Sequence, residues 1–118
     1  MQMKTIKISN VTHDELSELQ LQTQLYQAAV QTNFTRSEKF DLLDSIIALD
    51  ISIKLWYAMR TRLEKPEPKK GFTIQFKPAE SAVLFKICRA EFDNMPAYRL
   101  NVIRKYRAEI DRQLKSIV

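Results

Sequence analysis

The side chains that carry most enzyme chemistry are scarce in this chain, which has one histidine, His13, one cysteine, Cys88, and one glycine, Gly71. His13 falls within a helix-capping sequence, and spacing offers it no acid-base partner. Cys88 lies among Leu84, Phe85 and Ile87, where a buried thiol behaves as a small hydrophobe. Lys86 and Arg89 are near enough in sequence to lower its pKa if it were exposed. One His and one Cys exclude a His/Cys zinc site and an internal disulfide framework within one chain. A lone glycine excludes the glycine-rich phosphate loops. Glu38, Asp41 and Asp44 recur every three residues, a spacing that could hold a divalent cation. Such ions usually take ligands from more than one element, and an acidic first turn answering the helix dipole explains the three more simply. The expectation is a protein with no catalytic residue, no metal, no cofactor and no evident small-molecule substrate, hence not an enzyme.

Two other groups of residues could recognise a partner. The first is basic. Residues 1–53 carry 4 Lys/Arg against 7 Asp/Glu, net −3, and residues 54–118 carry 15 against 7, net +8. Arg99, Arg104, Lys105, Arg107, Arg112 and Lys115 crowd the last helical segment, and Lys69 and Lys70 in the preceding linker could join their field. Such a face either contacts phosphates or is solvated surface, with Glu109 and Asp111 as local partners. The second group is apolar. Leu42, Ile46, Leu49, Ile53, Trp56 and Leu63 recur at spacings of 4, 3, 4, 3 and 7, a heptad seam. Leu43, Ile47, Ile51, Leu55, Tyr57 and Met59 widen it until the helix is apolar almost all round, and a helix of that kind is covered on more than one side. A small domain has few elements to supply that cover, so a protein partner, foremost another copy, is the expectation. Leu42, Ile46, Leu49, Ile53, Trp56, Tyr57 and Met59 are the candidate interface. Trp56, Tyr57 and Met59 are of the types enriched where partners desolvate a surface, or else they close the core against the strands. Asp50 and Lys54 stand four apart with the acid first, the favourable order for an ion pair on a helix.

The elements that position these residues follow from periodicity. Lys4–Ser9 alternates polar and apolar as a half-buried strand with Ile6 and Ile8 inward, ended by Asn10. Thr12 and Glu15 form a capping box, with Val11 and Leu16 at the staple positions, opening a helix to about Gln31. That helix is rich in glutamine, at positions 20, 22, 24, 27 and 31. Thr35-Arg36-Ser37-Glu38 is a second capping signature, opening the long helix over about 37–64. The linker 65–71 contains Pro66 and Pro68 and is stiff and extended. Phe72, Ile74 and Phe76 share one face of a second strand. Pro78 opens a third helix ending near Asp93-Asn94. Met95-Pro96 starts a fourth, with Leu100, Ile103, Tyr106, Ile110, Leu114 and Ile117 as its apolar stripe.

The expected fold is mainly α (α+β): four helices around one long helix, with two short strands in a strand-helix-helix repeat. All 118 residues form one domain, with repeat units 1–64 and 72–118. The strands align at an offset of 68, Thr5-Ile6-Lys7-Ile8 with Thr73-Ile74-Gln75-Phe76. They pair either within the chain or between copies. This order resembles the ribbon-helix-helix family of DNA binders, written twice in one chain. The resemblance implies outward strand side chains entering the major groove, here Thr5, Lys7 and Ser9 with Thr73, Gln75 and Lys77. The repeat and the 37–64 helix are longer than that family's unit, and no motif beyond alternation is matched.

With 45% hydrophobic and 28% charged residues, the composition is that of an ordinary globular protein. The start MQMKTIKISN is not a secretory signal. Ile46–Met59, interrupted by Asp50 and Lys54, is too short and too charged to span a bilayer. An unpaired cysteine fits a cytoplasmic protein. The first functional expectation is a non-enzymatic interaction or assembly protein, a homo-oligomer or a subunit of a larger complex. The alternative is a small basic nucleic-acid-binding protein.

Overall fold

The computed structural model describes residues 3–32 and 39–117, with 39–41 described by backbone alone. The elements run β1 (Ile6–Val11), α1 (His13–Thr32), α2 (Lys39–Leu63), β2 (Phe72–Phe76), α3 (Pro78–Arg89) and α4 (Ala97–Leu114). The architecture is mainly helical with a two-strand sheet, as the periodicity indicates. The second capping signature, at 35–38, lies outside the described residues.

The strands pair antiparallel within the chain, Ile6 opposite Phe76, Lys7 opposite Gln75 and Ile8 opposite Ile74. Ile6, Ile8, Phe72, Ile74 and Phe76 point into the core. β1 does not end at Asn10. The register shifts between Ile8 and Val11, and Asn10 takes a φ of 60°, a left-handed conformation that asparagine tolerates. The strand passes through this bulge and resumes at Val11 opposite Phe72. Gly71, at φ 80°, packs on the bulge, and a Cβ there would lie 2.9 Å from the Asn10 carbonyl carbon and from the Val11 oxygen. The single glycine is therefore required by backbone approach.

The ribbon lies on the helices, β1 beside α4 and β2 beside α3. The outer edge of β1 is held by the end of α4. The Lys7 N–H donates to Gln113 Oε1 at 3.1 Å, and Gln113 Nε2 donates back to the Lys7 carbonyl at 2.8 Å. The Lys4 N–H donates to the Ile117 carbonyl at 3.0 Å. These bonds satisfy backbone groups that an edge strand would otherwise expose.

One core joins both strand-helix-helix halves. It takes Leu16 and Leu19 from α1 and Ala48, Leu55 and Met59 from α2. The second unit adds Val83, Leu84, Ile87 and Cys88 from α3, and Val102, Ile103, Tyr106 and Ile110 from α4. α2 runs along α1 and α3. α3 ends at Arg89, before the turn at 93–94, because Gln22 caps it: Gln22 Nε2, fully buried, donates to the carbonyls of Ile87 at 3.0 Å and Ala90 at 2.7 Å. One member of the glutamine run thus satisfies the end of a helix 65 residues away. No described helix is long and apolar enough to cross a membrane.

Candidate functional site

α2 divides into two faces. Ala48, Ser52, Leu55 and Met59 lie against the core. On the opposite side Leu43, Ile46, Ile47, Ile53 and Tyr57 are 52, 49, 59, 40 and 63% exposed. Leu42, Leu49 and Trp56 sit at the margins, half-buried. The sequence seam thus splits, with Ile46 and Ile53 turned to solvent. Met59, counted there as an interface residue, is 2% exposed and belongs to the core. The reason is physical. A helix apolar around its circumference fits a heptad on several faces, and neighbouring elements decide which face is inward. Asp50 and Lys54 lie amid the outer face, paired at 3.3 Å with both side chains largely in water.

The outer face continues into a cleft of about 380 Å³ between α1 and α2, lined by Gln24, Gln27, Ile53, Trp56 and Tyr57. Trp56 and Tyr57 meet edge to face, 5.0 Å between centroids at 84°. Among the described residues the Trp56 indole N–H and the Gln27 amide nitrogen are buried without a hydrogen-bond partner. An unpaired buried donor costs about 1–3 kcal/mol, which an acceptor entering the cleft would offset. Leu21 and Leu25 add exposed apolar surface on α1.

The basic helix is built differently from what its sequence implies. Each of its candidate cations has a carboxylate: Arg99 with Glu18 at 2.8 Å, Arg104 and Arg107 with Glu91 at 2.8 and 3.2 Å, and Lys105 with Glu15 at 2.7 Å. Arg112 pairs with Glu109 at 2.6 Å and Lys115 with Asp111 at 2.9 Å. Four of the six are answered from other parts of the chain, which positions along α4 alone could not reveal. Lys69 and Lys70 are exposed at the linker turn.

Glu15 is the centre of this network and was legible only as a cap. It caps the Thr12 N–H at 3.1 Å, and it also accepts from Lys105 at 2.7 Å and from the Tyr106 hydroxyl at 2.7 Å. Burial alone would raise its pKa, but the bonds from Lys105, Tyr106 and Thr12 outweigh burial and hold it below the ordinary carboxylate value. Burial and the hydrogen bond to Glu15 push the Tyr106 phenol up. Glu91 is held low chiefly by its hydrogen bond from Arg104.

The ribbon presents Thr5, Lys7, Ser9, Thr73, Gln75 and Lys77 to solvent. Beside β1, a groove of about 640 Å³ runs to α4, with Lys7, Lys105 and Arg112 among its lining residues. His13 is exposed at the start of α1. Its backbone N–H donates to Glu67 and its Nε2–H donates to the Leu63 carbonyl at 3.1 Å, tying the start of α1 to the linker and to the end of α2. Cys88 is fully buried, and desolvation pushes its thiol up to about 12, the opposite of activation. Of the three candidate cation ligands, Asp44 is exposed, Glu38 lies outside the described residues and only the backbone of Asp41 is described. Among the described residues no group of three His, Cys, Asp or Glu side chains could hold a metal.

Comparison with protein-family models, curated proteins and solved structures finds no match for this chain.

Proposed function

We propose that this chain is a non-enzymatic interaction and assembly protein whose outer α2 face is covered by protein. The observation that carries the reading is the row of five large apolar side chains, Leu43, Ile46, Ile47, Ile53 and Tyr57, each at least 40% exposed on one helix. Scattered exposed hydrophobics are ordinary, but five gathered on one face of one helix, around a single ion pair, mark an interaction surface. Trp56 and Gln27, whose donors are unpaired among the described residues, line the cleft at its margin. A reactive site has little support, since the single thiol is buried and His13 is engaged in structural hydrogen bonds. The unpaired cysteine fits a reducing, cytoplasmic setting.

The test is the particle size of the tagged full chain in an extract of cells that produce it. The chain elutes well above the 13.9 kDa of a monomer, and Ile47→Asp returns it to monomer size without unfolding it. Elution as a monomer, or a larger particle indifferent to Ile47→Asp, contradicts the reading.

Nucleic-acid binding is the second reading. It is favoured by the exposed polar face of the ribbon, where Lys7 stands opposite Gln75, a form of element that can read a groove. The pairing of α4's cations with carboxylates lowers the field its other support relied on. Anisotropy with duplex and single-strand probes tests it at about 50 and 200 mM salt, where binding falls by about 0.9 log unit per contacted phosphate per log unit of salt. Absence of binding at the lower salt excludes it.

A further inference from the structure

We infer that the occupant of the outer α2 face is a second copy of this chain, packed antiparallel with Asp50 of each copy against Lys54 of the other. The inference rests on the interaction reading above and names its partner.

The argument is one of self-complementarity. Ile47, Asp50, Lys54 and Tyr57 lie along the exposed face, at spacings of three, four and three that keep them on one side of a helix. The row is apolar, acidic, basic, apolar. Reversed end to end, it meets itself with unlike charges opposed and apolar residues opposed, in a register centred on residue 52: Asp50 on Lys54, Ile47 on Tyr57. A parallel pairing in register sets Asp50 on Asp50 and Lys54 on Lys54, which like-charge repulsion disfavours. An antiparallel pair related by a two-fold axis is also the closed, isologous arrangement that most homodimers adopt.

The charges are free to exchange. Asp50 and Lys54 bond to each other within one helix, with side chains 66 and 70% exposed, so little is lost when each turns to the other copy. The apolar flank supplies the burial. Leu43 to Tyr57 spans about 21 Å of helix at 1.5 Å per residue, with Ile46 and Ile53 on one edge.

The experiment is sedimentation equilibrium of the purified full chain as wild type, Asp50→Lys, Lys54→Asp and an equimolar mixture of the two variants. The wild type dimerises. Each variant alone opposes like charges twice and weakens the dimer by at least about tenfold, and the mixture restores unlike pairs and recovers most of the affinity. The mixture is the control for folding, because it contains only the two weakened chains. Orientation is read by a nitroxide on Thr61→Cys, Cys88 being buried. The antiparallel register sets the labelled backbones about 27 Å apart along the helices, whereas a parallel pair sets them about 10 Å apart.

Variants that dimerise as the wild type does, or a short label separation, overturn the register. A purified wild type that stays monomeric while the extract still holds a large particle sensitive to Ile47→Asp overturns the second copy and leaves the interaction reading standing. Monomers in both settings overturn both.

Discussion

The two halves share one order of elements, strand-helix-helix, and finish it differently. In β2-α3-α4 each helix has its apolar stripe inward, and Val83, Leu84, Ile87, Val102, Ile103 and Ile110 are all buried. The charges of α4 are matched by carboxylates. In β1-α1-α2 the inward side is equally dry, with Leu16, Leu55 and Met59 at most 2% exposed. Yet the outer side of α2 keeps a second apolar face, and buried donors on Trp56 and Gln27 lack acceptors among the described residues. One half turns its apolar stripes inward and pairs its charges, and the other leaves a second apolar face in water. The contrast separates two uses of hydrophobic sequence. A stripe of about 100° serves the fold, and apolar coverage beyond it has another purpose.

The contrast can be broken most forcefully by truncating one residue on each side. Leu84→Ala removes a fully buried side chain and costs about 3 kcal/mol of stability, seen as a lowered urea midpoint. Ile47→Ala, at low protein concentration, changes the stability by less than about 0.5 kcal/mol while weakening self-association. Equal losses of stability would show that the outer face of α2 belongs to the fold.

A smaller effect sharpens the role of Glu15, which joins the units. Glu15→Gln leaves the Tyr106 hydroxyl and Lys105 without their charged acceptor and costs about 2 kcal/mol. Its pH dependence has a definite sign. The folded-state pKa of Glu15 lies below the ordinary 4.5, so its contribution is fully present above that value. It is lost as pH falls through the lowered folded value. Wild-type stability therefore declines over that acid window more steeply than that of Glu15→Gln, and parallel declines would assign the acid sensitivity elsewhere. Smaller still is the reactivity of Cys88. With the thiol buried and its pKa pushed up to about 12, a thiol reagent labels the native chain no faster than it unfolds. Prompt labelling would place Cys88 outside the closed half.

Much of this architecture was legible in local pattern. Thr12 and Glu15 announce the start of α1 and bond reciprocally there. The alternation of Phe72, Ile74 and Phe76 matches their burial, and Ile103, Tyr106 and Ile110 mark the inward stripe of α4. The excess of apolar residues on α2 was legible too, but not which side faces out, since Ile46 and Leu55 differ only in what lies beside them. The bulge at Asn10 was hidden, because the need for a left-handed residue there is set with Gly71 across the ribbon. The pairing of α4's cations was hidden for a related reason. Glu15 and Glu18 lie 90 and 81 residues from the cations they meet, and such pairings exist only in three dimensions.

The central claim is that a second copy closes the open half, and the mass of the purified chain tests it most directly. Sedimentation equilibrium from about 1 μM to 1 mM spans the range in which a modest protein interface saturates. The account predicts an average mass that climbs from 13.9 kDa toward twice that value, and a climb abolished by Ile47→Asp. A mass that stays at 13.9 kDa throughout, or one that climbs equally in Ile47→Asp, contradicts it.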